Sequence, residues 1–252
     1  MLIDSMPPIK RARDFYLYDT KGDRILDLYL DNGRAISGHR PAGLSLAVKN
    51  VISRGLYASY PSIYTDRLLK LLKKEFPQFK EFGLYISEMS FLKSLKETRE
   101  FTDPLTASGN LEFQYWRPYI KIGEECRNLL MHFPFPGSDV IAVLSVDENA
   151  LPESDIIPPY ILAGLIRTYY DLKKRMEIAD ENSWLFFDDT HHWTRTGPYL
   201  LPKCSEEEYE KLFQLYLKSD ILISPYFNRP SICAVDLYAG SLKKLYRNIK
   251  GC

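Results

Sequence analysis

The chain has 252 residues, 45% of them apolar and 26% charged, which suits one large folded domain or a domain with an appendage. Thirty-three basic residues balance thirty-three acidic ones, so no electrostatic footprint for nucleic acid or an anionic membrane is present. No apolar run reaches membrane-spanning length, and the opening Met-Leu-Ile-Asp-Ser-Met-Pro-Pro lacks the apolar core of a secretory signal.

Phe15 to Leu30 carry a hairpin pattern, with aromatic and aliphatic residues flanking a turn at Asp19-Thr20-Lys21-Gly22-Asp23. Gly33 and Ser37-Gly38-His39-Arg40-Pro41 follow, then a helical stretch around Leu46, Ala47, Val48, Val51 and Ile52 that stops at Gly55. The spacing of Leu68, Leu69, Leu72 and Phe76 predicts an amphipathic, core-packing helix over 64–76. Gly83-Leu84-Tyr85-Ile86-Ser87-Glu88-Met89 reads as a strand running into a helix, with Ser87 placed to cap it. Phe113, Tyr115, Trp116 and Tyr119 form an aromatic cluster suited to a core or lid, with a small-molecule platform as the alternative.

Asp139 to Val146 has the composition of a buried strand, and Pro158-Pro159 opens a helix where proline's missing N–H costs nothing. The apolar run ending at Phe187 reads as a buried parallel strand that delivers Asp188 and Asp189 to its carboxyl end. Ser205 and Glu208 make a capping box, Ile221 to Ser224 a strand, and Ser241 to Asn248 a short helix. Cys126, Cys204, Cys233 and Cys252 show no metal-ligand spacing and read as free thiols of a reducing compartment, the cytoplasm. The adjacent His191 and His192 read as solvated loop residues; no His-x-x-x-His pair supports a metal site.

In this order the motifs resemble class III aminotransferases dependent on pyridoxal phosphate (PLP), and most of all the glutamate-1-semialdehyde aminomutase branch. The likeness rests on the opening hairpin with Gly38-His39, on Ser87-Glu88, on Pro158-Pro159, and on Asp188-Asp189-Thr190 leading to Arg195-Thr196-Gly197. It covers residues 15–95 and 139–240 and lapses over 97–137, where the family's Tyr-His-Gly is missing. The resemblance implies an α/β fold, a three-layer α/β/α sandwich like the large domain of fold type I PLP-dependent transferases, with an N-terminal β-hairpin. It implies a segment over 1–60 and a large domain over 61–252, truncated before the family's C-terminal subdomain.

By the same resemblance Asp188 stands where the family's acid meets the cofactor's pyridine nitrogen, and Ser87 where helix amides hold its phosphate. Capping a loop or helix is the competing role for each. Ile86 stands where the family's turn has glycine, and Tyr226 occupies the place of the Schiff-base lysine. A phenol cannot form an imine, so no catalytic residue is assigned. The chain is thus expected to be a non-catalytic, degenerate descendant that binds a partner or small molecule, PLP being a possible non-covalent ligand. The alternatives are an active PLP enzyme with an unusual base, and a structural interaction protein. A homodimer is expected, with no metal, nucleic acid or membrane partner.

Overall fold

A computed structural model describes residues 2–95, 100–106, 112–180, 182, 184, 191–233 and 247. The strand expected to end at Phe187, Asp188 beyond it, and the helix expected over 241–248 (Arg247 apart) lie outside the described residues. Two compact units emerge, one of Met1–Pro41 with Lys174–Cys252 and one of Ala42–Lys173.

The strands and helices, in chain order, begin with β1 (Ile9–Arg13), β2 (Tyr16–Asp19), β3 (Arg24–Asp27), α1 (Leu44–Ile52), α2 (Ile63–Glu75), β4 (Glu81–Tyr85) and α3 (Glu88–Ser94). Then come β5 (Phe113–Tyr115), β6 (Asn128–His132), β7 (Ile141–Ser145), α4 (Pro159–Ile178), β8 (Trp193–Thr196), β9 (Tyr199–Pro202), α5 (Glu206–Lys218), β10 (Ile221–Leu222) and β11 (Ser231–Ile232). Among the described residues no helix is long and apolar enough to cross a membrane.

In the first unit the hairpin β2–β3 forms as its turn chemistry dictates, with the Asp19 carboxylate accepting the amides of Lys21 and Asp23 at 2.9 and 2.8 Å. The hairpin is not a free-standing N-terminal piece. β1 extends it on one side, and β10 joins β3 in parallel on the other, pairing Ile221 with Leu26 and Leu222 with Asp27. Arg195 and Thr196, of the Arg-Thr-Gly stretch, lie in strand β8. Alternating Trp193 and Arg195 with β-branched Thr194 and Thr196 favour a strand, and Gly197 (φ 54°) makes the turn into β9.

In the second unit the strand order is β4-β7-β6-β5, with β7 antiparallel to β4 and β6, and β5 parallel to β6. β4, β5 and β6 therefore run the same way and end on one edge. β7 is buried along its whole length, and so are Leu129, Leu130 and Met131 of β6, which explains their unbroken apolar runs. Phe76, Trp116 and Tyr169 interlock with ring centroids 6.0–6.5 Å apart, so Trp116 of the aromatic cluster is core. Gly83 is required by β4, because a Cβ there would lie 2.4 Å from the hydroxyl of Tyr85.

Candidate functional site

Open α/β sheets bind ligands where parallel strands end. In the second unit that edge carries the start of α3 after β4, Tyr115 at the end of β5 and His132 at the end of β6. Tyr115 Oη donates to Glu88 Oε1 at 2.5 Å, and His132 Nε2 lies 3.2 Å from Glu88 Oε2. The rings of Tyr115 and His132 stack, tilted by 22°. Glu88 and His132 are each about one-third exposed (30% and 35%), so the group touches solvent. A carboxylate between a phenol and an imidazole can hold or move a proton.

Ser87 caps α3: its Oγ accepts the Ser90 amide at 3.1 Å. Two further polar groups of this turn meet Asp155. Its Oδ2 accepts the Ile86 amide at 2.9 Å and the Ser90 hydroxyl at 2.8 Å. The residues where the family resemblance sets a phosphate cradle thus hold a carboxylate of the chain itself, with Glu88 next to it. A dianionic phosphate would have to displace Asp155 and stand against two negative charges, so these residues do not fit it.

The first unit has its own edge, where the parallel strands β3 and β10 end. Asp27, only 2% exposed, is fully engaged there. Its Oδ1 accepts the amides of Tyr29 and Leu30 at 2.8 and 2.9 Å, and its Oδ2 meets His39 Nε2 at 2.8 Å. Those two amides open a rare backbone run: Leu30, Asp31, Asn32 and Gly33 all have positive φ (50°, 52°, 56° and 89°). Left-handed conformations are costly for residues other than glycine, and persist only where surrounding bonds over-determine them. Gly38 closes the loop, since a Cβ there would come 3.0 Å from the Asp14 carbonyl oxygen. The next amide, of His39, donates to that same oxygen at 2.7 Å.

Tyr226 lies on this edge after β10, its ring centroid 6.2 Å from that of Tyr29 and its ring beneath the Arg229 guanidinium. It also borders a cleft of about 420 Å³ lined by Leu2, Glu206, Tyr209, Glu210 and Asn228. Burial, then the neighbouring Tyr226 and Asp31, push the Tyr29 phenol above its ordinary pKa. Of the residues singled out from sequence, then, Tyr226 belongs to the first unit, Ser87 to the second, and Asp188 lies outside the described residues. His192 is not simply solvated: its Nδ1 lies 3.1 Å from Tyr216 Oη, and burial followed by its neighbour His191 lowers its pKa. No group of three or more metal-ligating side chains occurs among the described residues.

Sequence reasoning missed His132 and Asp155. His132 falls where the resemblance lapses. Asp155 sits in a loop 69 residues from its partner Ile86, and no local pattern announces such a bond.

No family model matches the chain. It is 33% identical over 254 residues to an uncharacterized protein of Borreliella burgdorferi, covering 96% of this chain and 89% of that one. Over 69 residues, 27% of this chain and 16% of the other, it is 38% identical to glutamate-1-semialdehyde 2,1-aminomutase of Heliobacterium modesticaldum. Among solved structures, N-acetylornithine aminotransferase of Stenotrophomonas maltophilia superposes with a TM-score of 0.70 at 9% identity, over 98% of this chain and 96% of that one. Ornithine aminotransferase of Plasmodium yoelii gives 0.69 at 9% identity, over 98% and 95%. The chain has the α/β fold of the PLP-dependent aminotransferases of fold type I, and it belongs to the same protein family as the Borreliella burgdorferi protein.

Proposed function

We propose that this chain is a non-catalytic, degenerate member of the aminotransferase fold that binds a small molecule and performs no amino-group transfer. The observation that carries this reading is Asp155, whose carboxylate takes the Ile86 amide and the Ser90 hydroxyl where an aminotransferase would hold its cofactor's phosphate. Tyr226 at the lysine position, incapable of an imine, points the same way. The test is to incubate purified protein with PLP, pass it through gel filtration, and follow with borohydride reduction and peptide mapping. Loss of the cofactor on the column, with at most scattered labelling of exposed lysines, is the expected outcome. A single stoichiometric adduct on one lysine, together with amino-group transfer abolished when that lysine is replaced, would overturn the reading.

A second reading, an enzyme with an unusual base, is favoured by the Tyr115–Glu88–His132 group at the carboxyl edge of the second unit's sheet. That group supplies acid–base chemistry without a lysine. Turnover of an amino acid by wild-type protein, abolished in His132→Gln, would promote this reading above the first.

The same proposal includes a second copy of the chain as partner. Leu46, Tyr57, Tyr60 and Ile63, within one stretch of 18 residues, are each 57–64% exposed, a concentration of apolar surface suited to an interface. Sedimentation as a dimer at micromolar concentration is expected, and a monomer in Leu46→Glu with Tyr60→Glu. Cys126 and Cys204 form no disulfide among the described residues, which supports the cytoplasm as its compartment.

A further inference from the structure

We infer that Tyr29, Tyr226 and Arg229, at the edge where β3 and β10 end, bind the anionic group of a small organic molecule, a carboxylate or a phosphate monoester. The inference rests on the small-molecule reading above and names the chemistry of the ligand. It begins from unused donors. Arg229 makes no ion pair among the described residues, and its one contact of note is the Tyr226 ring, 5.5 Å from the guanidinium carbon. Neither the Tyr29 nor the Tyr226 phenol has a hydrogen-bond partner among the described residues. Two phenol rings 6.2 Å apart and a guanidinium 5.5 Å from one of them, with no acceptor on their polar ends among the described residues, suit an anion.

The site is pre-arranged. The Arg229 amide donates to the Tyr226 carbonyl at 3.2 Å, closing the turn that carries the guanidinium over the ring. Ser224 fixes the start of that turn, its Oγ accepting the Tyr226 amide at 3.2 Å and donating to the Tyr226 carbonyl at 3.0 Å. Across from it, Asp27 holds the amides of Tyr29 and Leu30 and so sets where the Tyr29 ring stands. An ordered turn on one side and an over-determined left-handed run on the other leave little to reorganise on binding.

Charge selects the position within this edge. Asp31, an acid whose charge reaches the Tyr29 phenol, is held by Arg34 at 3.2 Å. The cleft on which Tyr226 also borders carries Glu206 and Glu210 and repels an anion, so the charged group belongs beside Tyr29 and Arg229. The two tyrosine rings, 6.2 Å apart and tilted by 55°, place apolar surface beside that group for the body attached to it. Like any phenol, Tyr29 is protonated and available as a donor at neutral pH, and burial only raises its pKa further.

The experiment titrates full-length protein calorimetrically with benzoate, phenyl phosphate and the neutral benzamide. Binding of benzoate or phenyl phosphate and not of benzamide is expected, and the tighter anion identifies the group. Arg229→Gln, at an exposed position, should weaken the anion roughly 10- to 100-fold, with Arg229→Lys between it and wild type. Tyr226→Phe and Tyr29→Phe should each weaken it roughly 3- to 10-fold while leaving the circular dichroism spectrum unchanged. Benzamide binding as well as the anions, undetectable binding of both anions at millimolar concentration, or equal affinity in Arg229→Gln would overturn the inference. A stoichiometric PLP–lysine adduct would overturn the non-catalytic reading without altering these affinities. A protein that neither retains PLP nor binds either anion would overturn this site alone.

Discussion

Asp155 Oδ2 lies 2.8 Å from Ser90 Oγ and 2.9 Å from the Ile86 amide, tying a loop before α4 to the first turn of α3. Removing the carboxylate leaves both donors to compete for water. Asp155→Ala should therefore cost about 1–2 kcal/mol in urea unfolding, and Asp155→Asn, which keeps one acceptor oxygen, less than half of that. Equal stability of wild type and Asp155→Ala would show that the tie is ornamental.

Asp27 is a larger case because it is buried and serves three donors, the amides of Tyr29 and Leu30 and the ring of His39. Asp27→Ala should lose about 3 kcal/mol or more and release the left-handed run at Leu30–Gly33. Chemical denaturation measures the first effect. Faster amide exchange at residues 29–33 under native conditions measures the second, and protection unchanged from wild type would count against it.

Gly83 and Tyr85 share one face of β4, and the Tyr85 ring is held in place by its hydroxyl on the Pro152 carbonyl (2.8 Å) and by Phe91, 4.7 Å away. The ring cannot swing aside for a methyl group at position 83. Gly83→Ala should destabilise by about 1–3 kcal/mol, and the loss should shrink in a Tyr85→Leu background. Additive single and double variants would exclude the steric explanation.

His192 supplies the pH dependence. Tyr216 Oη accepts the Trp193 indole N–H at 2.7 Å, and its own proton is directed to His192 Nδ1, 3.1 Å away, when that ring is neutral. The folded pKa is lowered, chiefly by burial, from an ordinary 6.5. Below that value the unfolded chain takes up a proton that the folded chain resists. The contribution of His192 is therefore intact above pH 6.5 and is lost as pH falls towards and through the folded pKa. Thermal unfolding from pH 8 to pH 5 should show this decline, and His192→Asn should flatten it.

Local chemistry made several elements readable in advance. Asp19 and Gly22 announced the hairpin, Ser205 with Glu208 the start of α5, Pro158-Pro159 that of α4, and the leucine spacing α2. Gly38-His39 was also visible, but its partner Asp27 was no more than an acid in a strand until the chain folded back across 12 residues. β1, β5, β6, β9 and β11 were not foreseen. β5 is three residues long and β11 two, and such short strands exist through pairing with distant chain rather than through propensity. The candidate sites were less legible still. Ser87 was expected to cap α3 and does, yet the carboxylate that completes its turn comes from Asp155, and the imidazole that meets Glu88 from His132.

The bonds between β4 and the 150–155 segment bear on how this chain avoids sticking to others. β4 forms one rim of its sheet, and a bare rim templates a foreign strand. Here the Leu84 amide is taken by Ser154 Oγ, the Leu84 carbonyl by the Asp155 amide, and the Ile86 amide by the Asp155 carboxylate. Glu81 meanwhile grips the amides of Ala150 and Leu151. On the opposite rim, Thr102 pairs with β5 through the Phe113 carbonyl and the Tyr115 amide. Each border strand is thus sealed by irregular chain whose own side chains and bends offer no continuing ladder. Strand-by-strand growth into fibrils, the hazard of any small open sheet, is blocked at both borders by these few residues, and loosening the 150–155 segment would reopen one of them.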